Sequence, residues 1–495
     1  MDSILRNENE YIRMDCFDPF FVAAFDTMNH PIKKAKKVIQ TGYLTALTYI
    51  VKKTLAEEEL SEKPFYSVCD IKSYTSENKS TQQLILVLRS VLQKRISEEM
   101  QLRIDIKQLV SKRLQQYKNQ LFADDVKANI DENRGIGCLS TFAKPWRTKY
   151  RFMLVCDVAL ILLDESLVLH ATELIRECLS AKQQADVDRI YSLLQSKQEV
   201  EKKYQPILPL LNQYRANKDF FYKEERRIIV TANMSAGKST LINALVGKPI
   251  ARTSQEVCTG NVCYLFNKAY EDNHIHLSTQ GLNLNATADD LHAYDWNGKI
   301  SIASYFTGIM SDIPRLCIID TPGVDAALYK NHSKCAHDAL LNDDYDTIIY
   351  VVNPTRLGTD AEKRHLQWVA QNLQKEKIIF VLNKLDNYHD FSDSIEESVH
   401  DFKEDLLKIG FEAPVICPIS AYFSYLLKLK MTGQSLSEDE ADEYALYSKK
   451  FMRSSYDLSH YYEDVQCLPA DSEEIALSKR AGLYGIEKIL YGDRL

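Results

Sequence analysis

The feature that most constrains the fold is an alternation that begins at Glu224. From there, short runs rich in β-branched and other apolar residues alternate with amphipathic helical stretches. Several runs are apolar almost throughout, as expected when helices cover both faces of a parallel sheet. The alternation therefore predicts a doubly wound α/β domain with a mostly parallel sheet. The predicted strands are 227–231, 262–266, 300–304, 315–319, 347–352, 377–382 and 414–419.

A tight turn follows the first predicted strand and leads into a helical pattern over 240–246. Strand, turn and helix in this order are the context of a phosphate-binding loop, whose backbone N–H groups converge on phosphate oxygens. We expect Lys238 to contact the β- and γ-phosphates. We expect the Ser239 hydroxyl to bind Mg²⁺, which prefers oxygen ligands. The residues predicted to line the nucleotide here are Asn233, Met234, Ser235, Ala236, Gly237, Lys238, Ser239 and Thr240.

One residue of this turn departs from the usual phosphate-loop pattern, which begins with glycine. Ala232 occupies that position. If the backbone there needs a positive φ, the methyl group costs about 1 kcal/mol or more. We therefore expect a slightly reshaped turn.

Asp320 and Gly323 follow another apolar strand and form the second candidate loop. A carboxylate at the end of a strand can hold a Mg²⁺-bound water, and the N–H of Gly323 can reach the γ-phosphate. Hydrolysis of that phosphate would then release the segment that follows. The same tetrapeptide also describes an ordinary turn.

Two further loops follow the last two predicted strands. In the first, the Asp386 carboxylate is predicted to accept hydrogen bonds from guanine N1–H and the exocyclic amine, while Asn383 and Lys384 brace the loop. Adenine offers no donor at N1, so discrimination of about 10⁴-fold is expected. In the second, a backbone N–H of Ser420 and Ala421 is predicted to meet guanine O6. Four such loops in this order predict a site for GTP and Mg²⁺.

A mobile threonine that closes on Mg²⁺ would complete the site. Thr259 stands just before a predicted strand and beside Gly260, which permits a backbone rearrangement. Thr253 is the alternative. Thr259 is the favoured catalytic and metal-binding residue, together with Ser239 and Asp320 as the other predicted Mg²⁺ ligands.

Residues 1–220 show a different pattern of apolar residues. Apolar residues recur at three-to-four spacing through 31–59, 79–129 and 164–217, with few glycines or prolines. This pattern predicts an α-helical bundle or stalk. We therefore divide the chain into a helical domain at 1–220 and a GTPase domain at 221–495, with an insertion at 422–472 before a final helix that packs on the sheet.

Composition excludes several classes of protein. Eleven scattered cysteines without a CxxC pair favour reduced thiols in a cytoplasmic protein over a disulfide or zinc framework. The apolar run 152–163 is too short to span a bilayer and contains Asp157, so any membrane contact is expected to be peripheral. Basic runs such as 33–37 could touch phospholipid or nucleic acid, but a net charge of −8 favours a solvated helix face, and no nucleic acid is expected as a partner.

Residues 225–495 resemble the dynamin superfamily of large GTPases, particularly its bacterial members. The resemblance is carried by residues 234–245, Thr259, the Asp320 loop and the Asn383 loop. It implies GTP hydrolysis coupled to self-assembly, often on membranes, with dimerisation across the nucleotide face. It also implies that Ser235 positions the attacking water and a monovalent cation, K⁺ or Na⁺.

The resemblance has limits. Val324 follows Gly323 where other GTPases carry a catalytic glutamine, so catalysis would fall to Ser235, Lys238 and backbone groups. The helical material lies before the GTPase domain, and no paddle is evident. A dynamin-like enzyme at a membrane, a regulatory switch that binds a protein through residues 1–220, and a scaffold with negligible turnover all stay open.

Overall fold

The computed structural model describes residues 21–61, 107–233, 235–251, 261–279, 281–292, 300–309, 313–324, 330–389, 393–468 and 470–492. The chain divides into two compact units. The first, the helical unit, comprises Met1–Tyr222 and Ala269–Asn273. The second, the sheet unit, comprises Lys223–Lys268 and His274–Leu495.

Helices form the first unit, as the sequence predicts. Residues 107–121 are helical as well, and part of the predicted stretch 79–129 lies outside the described residues. The labelled helices are α1 (Lys37–Ser61), α2 (Asp124–Ala128), α3 (Gly135–Phe142), α4 (Thr148–Leu162), α5 (Glu165–Glu177), α6 (Ala181–Gln195) and α7 (Leu208–Phe221).

Helix α4 forms the centre of the helical unit. Every residue from Arg151 to Leu162 is buried, so this mostly apolar helix is covered on all sides. Its one buried carboxylate, Asp157, accepts hydrogen bonds from Tyr43 Oη and His30 Nε2. At its C-terminal end the guanidinium of Arg113 donates to the carbonyl of Leu160 at 2.7 Å. These bonds satisfy polar groups that would otherwise be costly to bury.

A nine-stranded sheet forms the second unit, and its strand order is β4-β3-β5-β2-β6-β1-β7-β8-β9. The five strands from β6 to β9 in this order are all parallel, which confirms the predicted α/β fold. Strand β2 runs antiparallel to β6 and joins the smaller β2–β5 part of the sheet. The strands are β1 (Glu225–Ala232), β2 (Cys263–Asn267), β3 (Ile275–Ser278), β4 (Leu282–Ala286), β5 (Ile300–Ser304), β6 (Arg315–Asp320), β7 (Thr347–Val352), β8 (Ile378–Leu382) and β9 (Val415–Pro418).

Helices cover the sheet. They are α8 (Lys238–Val246), α9 (Ala288–His292), α10 (Lys330–Asn342), α11 (Asp360–Asn372), α12 (Ile395–Ile409), α13 (Ala421–Met431), α14 (Glu438–Phe451), α15 (Glu473–Arg480) and α16 (Leu483–Tyr491). Ile486 and Leu490 of the final helix, α16, pack with Ile349 of β7, Val381 of β8 and Cys417 of β9.

Two strands, β3 and β4, are not predicted from the sequence. Both are short and mix Asn, His or Ser with apolar residues, so neither has the continuous apolar character that marks the other strands. The predicted insertion contains most of α13 and all of α14, and α13 packs on α8. Among the described residues, no helix combines the length and hydrophobicity needed to cross a lipid bilayer.

Candidate functional site

The four predicted loops lie at the carboxyl ends of parallel strands of the sheet. Strands β1, β6, β8 and β9 belong to its parallel part, and each loop begins where its strand ends. Ligands of open α/β sheets bind outside the carboxyl ends of the strands. The sheet therefore positions all four loops around one cleft.

The phosphate loop enters helix α8 through two residues with positive φ. Ser235 has φ 63° and Gly237 has φ 90°. A Cβ on Gly237 would lie 2.3 Å from Asn383 Nδ2, so only glycine fits there. Lys238, Ser239 and Thr240 form the first turn of α8, where N–H groups without helical partners favour an anion.

The condition under which Ala232 would be costly, a positive φ at that position, is not met. Ala232 is the last residue of β1, where it pairs with Val351 in a regular parallel register. Its φ is not positive and its side chain is fully buried in the core. The methyl group therefore costs nothing here, and the strained backbone of the loop lies instead at Ser235.

Lys238 and Asp320 bring the phosphate loop and the loop after β6 together. The ammonium of Lys238 forms an ion pair with the Asp320 carboxylate. Thr321 Oγ1 donates to the carbonyl of Val230 at 2.8 Å, and the N–H of Val324 donates to the carbonyl of Ala232 at 3.3 Å. Both bonds fix the Asp320 loop, including Gly323, against β1.

The chemistry of this pair of loops fits Mg²⁺. Asp320 offers carboxylate oxygens and Ser239 offers a hydroxyl, which are hard oxygen donors. The described residues hold no cluster of three or more His, Cys, Asp or Glu side chains suited to a metal. A Mg²⁺ ion held by few protein oxygens, with phosphate oxygens and water completing its shell, needs no such cluster.

Asn383 ties the phosphate loop to the loops that follow β8 and β9. Its amide nitrogen donates to the carbonyl of Ala236 at 2.9 Å. Its amide oxygen accepts from the backbone N–H of Ala421 at 3.0 Å. One side chain therefore fixes the spacing between the predicted phosphate and base regions.

The Asp386 carboxylate is oriented by Ser420, whose hydroxyl donates to Oδ1 at 2.6 Å. The same hydroxyl caps α13 by accepting from the N–H of Phe423. Lys384 adopts φ 65°, which turns the loop so that Asp386 follows within one short 3₁₀ turn. The structure thus brings Asn383, Lys384, Asp386 and Ser420 together.

The predicted contact with guanine O6 meets competing hydrogen bonds. The N–H of Ser420 donates to the carbonyl of Ala481, and the N–H of Ala421 donates to Asn383. In this conformation both N–H groups have acceptors within the protein. The O6 contact therefore stays a prediction.

One residue that supports the site is absent from the sequence analysis. Glu362 of α11 is buried, and its carboxylate accepts from Asn233 Nδ2 at 2.7 Å and from Tyr350 Oη at 2.9 Å. Burial, and secondarily the neighbouring Glu362 carboxylate, raises the pKa of Tyr350 well above its usual value. A lone glutamate on an amphipathic helix carries no motif, so only the fold reveals this support.

Three predicted positions lie outside the described residues: Met234, Thr259 and its alternative Thr253. Their roles stay predictions. The remaining predicted residues all belong to the loops described above or to the first turn of α8.

Comparison with known proteins agrees with this architecture. Residues 228–385 match the model of the dynamin family. A probable transmembrane GTPase, FZO-like and chloroplastic, from Arabidopsis thaliana is 26% identical over 220 residues, which are 43% of this chain and 21% of that protein. The chain thus spans about a fifth of that relative's length.

Two solved structures show a partial likeness. Toc33 from Arabidopsis thaliana, in complex with Mg²⁺ and GMPPNP, is 18% identical, with 41% of this chain and 72% of that chain covered and a TM-score of 0.28. An Era variant from Aquifex aeolicus, bound to GDP and AlF₄⁻, is 18% identical, with 43% and 58% covered and a TM-score of 0.26. Because both TM-scores lie below 0.5, neither likeness supports a conclusion about function. The match to the dynamin family model and the geometry of the four loops are the relevant observations.

Proposed function

Because this chain belongs to the dynamin superfamily of large P-loop GTPases, we propose that it binds GTP with Mg²⁺ and hydrolyses GTP to GDP and phosphate. The observation that carries the proposal is the position of the Asn383 amide, which bonds to both Ala236 and Ala421. That amide joins a phosphate loop to two base-recognition loops, an arrangement suited to one guanine nucleotide.

Each loop has a distinct role in this proposal. Lys238 and the N–H groups of the phosphate loop stabilise charge on the β- and γ-phosphates. Ser239, Asp320 and Thr259 would hold Mg²⁺, which neutralises phosphate charge when bound. Asp386 reads the guanine edge. Ser235, which lies in the phosphate loop with a strained backbone conformation, would orient the attacking water, with a monovalent cation as a further proposed element.

Calorimetry with GTP and ATP, together with a phosphate-release assay, tests the proposal. Lys238→Ala is expected to lower phosphate release at least about 100-fold, because it removes a charge from the reacting phosphates. Asp386→Ala is expected to weaken GTP binding without a matching loss for ATP. Lys403→Ala, an exposed position on α12, is the control and should leave both unchanged. ATP held as firmly as GTP by the unmodified chain would refute the proposal.

We further propose that GTP promotes dimerisation through the GTPase domain, which the superfamily resemblance supports. Light scattering after size exclusion, with Mg²⁺ and a non-hydrolysable GTP analogue or GDP, measures the mass in solution. A doubled mass with the analogue alone is expected. A monomer in both states would instead favour the alternative, a regulatory switch that binds a protein partner through its helical domain.

An exposed surface of the helical unit supports peripheral contact with an anionic membrane. Trp146 is 74% exposed and Ile136 is 58% exposed. The turn that carries Trp146 packs on α3, which carries Ile136. Lys144, Arg147 and Lys149 flank the indole in sequence, and Lys144 Nζ lies 5.6 Å from its ring centroid. Tryptophan beside basic residues suits the interface of an anionic bilayer.

Co-sedimentation with vesicles of phosphatidylcholine, with and without phosphatidylserine, tests this contact. Binding is expected only with the anionic lipid, and Trp146→Ala should reduce it several-fold because burial of a large aromatic surface is lost. Tyr222→Ala removes another exposed aromatic side chain, 76% exposed, and serves as the matched control. Absence of sedimentation with either lipid would dismiss membrane contact.

A further inference from the structure

The insertion between β9 and the final helices reaches the base-recognition loop. Helix α14 begins with a capping box, in which Ser437 and Glu440 satisfy each other's backbone groups. It packs on α13, where Phe423 stacks on Phe451 with ring centroids 5.2 Å apart. Since α13 begins at Ala421 and is capped by Ser420, α14 is anchored to one of the two base loops.

The C-terminal turn of α14 bonds to the other base loop through Lys450. Its ammonium donates to the carbonyl of Asp386 at 2.6 Å and to the carbonyl of Tyr388 at 2.5 Å. Tyr456, which follows α14, donates from its hydroxyl to the same Tyr388 carbonyl at 2.9 Å. Lys450 Nζ also lies 4.6 Å from the centroid of the Tyr456 ring.

These contacts matter because the loop after β8 has left the sheet. Carbonyls in such a segment need donors from elsewhere. Lys450 supplies charge-assisted hydrogen bonds, which are stronger than neutral ones. Asp386 is therefore held at two points. Lys450 donates to the backbone carbonyl of Asp386, and Ser420 donates to its carboxylate.

We infer that Lys450 is a positioning residue for guanine recognition, which fixes the Asp386 backbone so that its carboxylate can bond to both N1–H and the exocyclic amine of the base. This inference rests on the proposed function. Two hydrogen bonds to one planar base require a fixed carboxylate, whereas a single bond tolerates a rotated one. Loss of Lys450 therefore weakens the second bond more than the triphosphate contacts.

Inosine triphosphate provides a direct readout, because hypoxanthine keeps N1–H and O6 but lacks the exocyclic amine. The ratio of the Kd for inosine triphosphate to the Kd for GTP measures the contribution of that amine. A hydrogen bond to a charged group corresponds to a ratio of about 10 to 100. Both constants come from one preparation, so a partly inactive sample does not change the ratio.

Lys450→Met is expected to weaken GTP binding and to lower this ratio at least about 3-fold, as a loosened carboxylate gains less from the amine. Lys450→Arg retains the charge and donors and should restore most of the ratio. Lys449→Met, at the adjacent exposed position on the same helix, should match the unmodified chain. Tyr456→Phe removes one bond to Tyr388 and should give a smaller drop; it also tests the inference if Lys450→Met does not fold.

The outcomes separate the inference from the function on which it rests. A chain that prefers GTP to ATP, but whose ratio stays unchanged in Lys450→Met and Tyr456→Phe, overturns the role of Lys450 and leaves the proposed GTPase standing. An unmodified chain that does not prefer GTP overturns both. An equal drop in Lys449→Met would show a general effect of α14, which also overturns the specific role.

Discussion

At the scale of residues, the phosphate loop contains one position with a strained backbone and is held by hydrogen bonds to a neighbouring helix. Ser235 holds a left-handed backbone conformation, which costs a non-glycine residue about 1–2 kcal/mol. Asn233 bonds to the buried Glu362, which also accepts from Tyr350. Strained backbone persists where the surrounding structure holds it in place. The support from α11 thus stabilises the conformation of the loop.

Two substitutions at Ser235 separate the backbone from the hydroxyl. Ser235→Gly removes both strain and hydroxyl, whereas Ser235→Ala removes the hydroxyl alone. Relief of strain exceeds the entropy that glycine adds to the unfolded chain, so the glycine variant should be more stable than the alanine variant by about 0.5–1 kcal/mol. Urea unfolding measures this difference, and a more stable alanine variant would contradict it.

Both variants should lower kcat to a similar extent if the hydroxyl orients the attacking water. A phosphate-release assay at saturating GTP measures this. Retention of full kcat in Ser235→Ala would assign catalysis to backbone groups of the loop and remove the proposed role of the side chain.

At the scale of elements, α11 carries a buried histidine one turn after Glu362. His365 is 5% exposed, and neither ring nitrogen has a hydrogen-bond partner among the described residues. Burial, and secondarily the neighbouring His337, lower its pKa to about 3. The imidazole is therefore neutral in the folded protein, where it packs near the rings of Tyr350 and Trp368.

This lowered pKa predicts a loss of stability in mild acid. Above the unfolded pKa of about 6.5, His365 is neutral in both states and makes no contribution to pH dependence. Between about 6.5 and 3, only the unfolded state binds the proton, so stability falls by up to about 1.4 kcal/mol per pH unit. Urea unfolding at pH 7 and pH 5 should show a shallower decline in His365→Gln. The exposed His400→Gln serves as control, and equal slopes in all three proteins would contradict the assignment.

Helices α13 and α16 are joined by a buried ion pair. Lys428 and Glu487 are both fully buried, with Nζ and Oε1 2.5 Å apart. Lys428 also donates to the carbonyl of Thr307, and Glu487 accepts from the N–H of Ile309 at 2.8 Å. The pair therefore connects two helices to the segment that follows β5.

Removal of one partner should destabilise the chain more than removal of both. Lys428→Met leaves a buried carboxylate without its counter-charge, at a cost of about 3–5 kcal/mol. Combining it with Glu487→Met removes both charges and should recover part of that loss. Lys408→Met, in an exposed ion pair with Asp405, should cost less than about 1 kcal/mol in the same urea experiment. A single variant no less stable than this control would refute the argument.

Sequence patterns identify those strands and helices that are determined by their own residues rather than by partners distant in sequence. Strand β8 is apolar throughout and buried at every position, so it is evident from its residues alone. Strand β4 alternates Leu and Asn in a way that a loop also allows. Lys450 and Glu362 look like ordinary charged residues of amphipathic helices, since their partners lie far away in sequence. At Ala232 the sequence leaves the backbone conformation open, and only the fold shows that this residue ends β1 without a positive φ.

At the scale of the whole molecule, the proposed nucleotide site belongs to one of two compact units. All described candidate residues, from Asn233 to Ala421, lie in the sheet unit. The helical unit has its own buried core around α4. Two units with separate cores are not expected to unfold as a single two-state system.

Nucleotide should therefore stabilise one unfolding transition selectively. A GTP analogue with Mg²⁺ at about 100 times its Kd stabilises the state that binds it by about 2.7 kcal/mol. Calorimetry should show two transitions, of which only one moves to higher temperature with the analogue. Lys238→Ala should abolish that shift. A single transition that moves as a whole with the analogue would show that the units unfold together.

The five residues Ala269–Asn273 have a consequence for how the chain is made. They lie between β2 and β3 in sequence but belong to the helical unit, where Asp272 accepts from the N–H of Phe25 and Tyr270 donates to the carbonyl of Ala24. On a ribosome, the helical unit is therefore still incomplete when Tyr222 emerges. Its last residues are added only when translation has passed Asn273, after the whole phosphate loop has been synthesised.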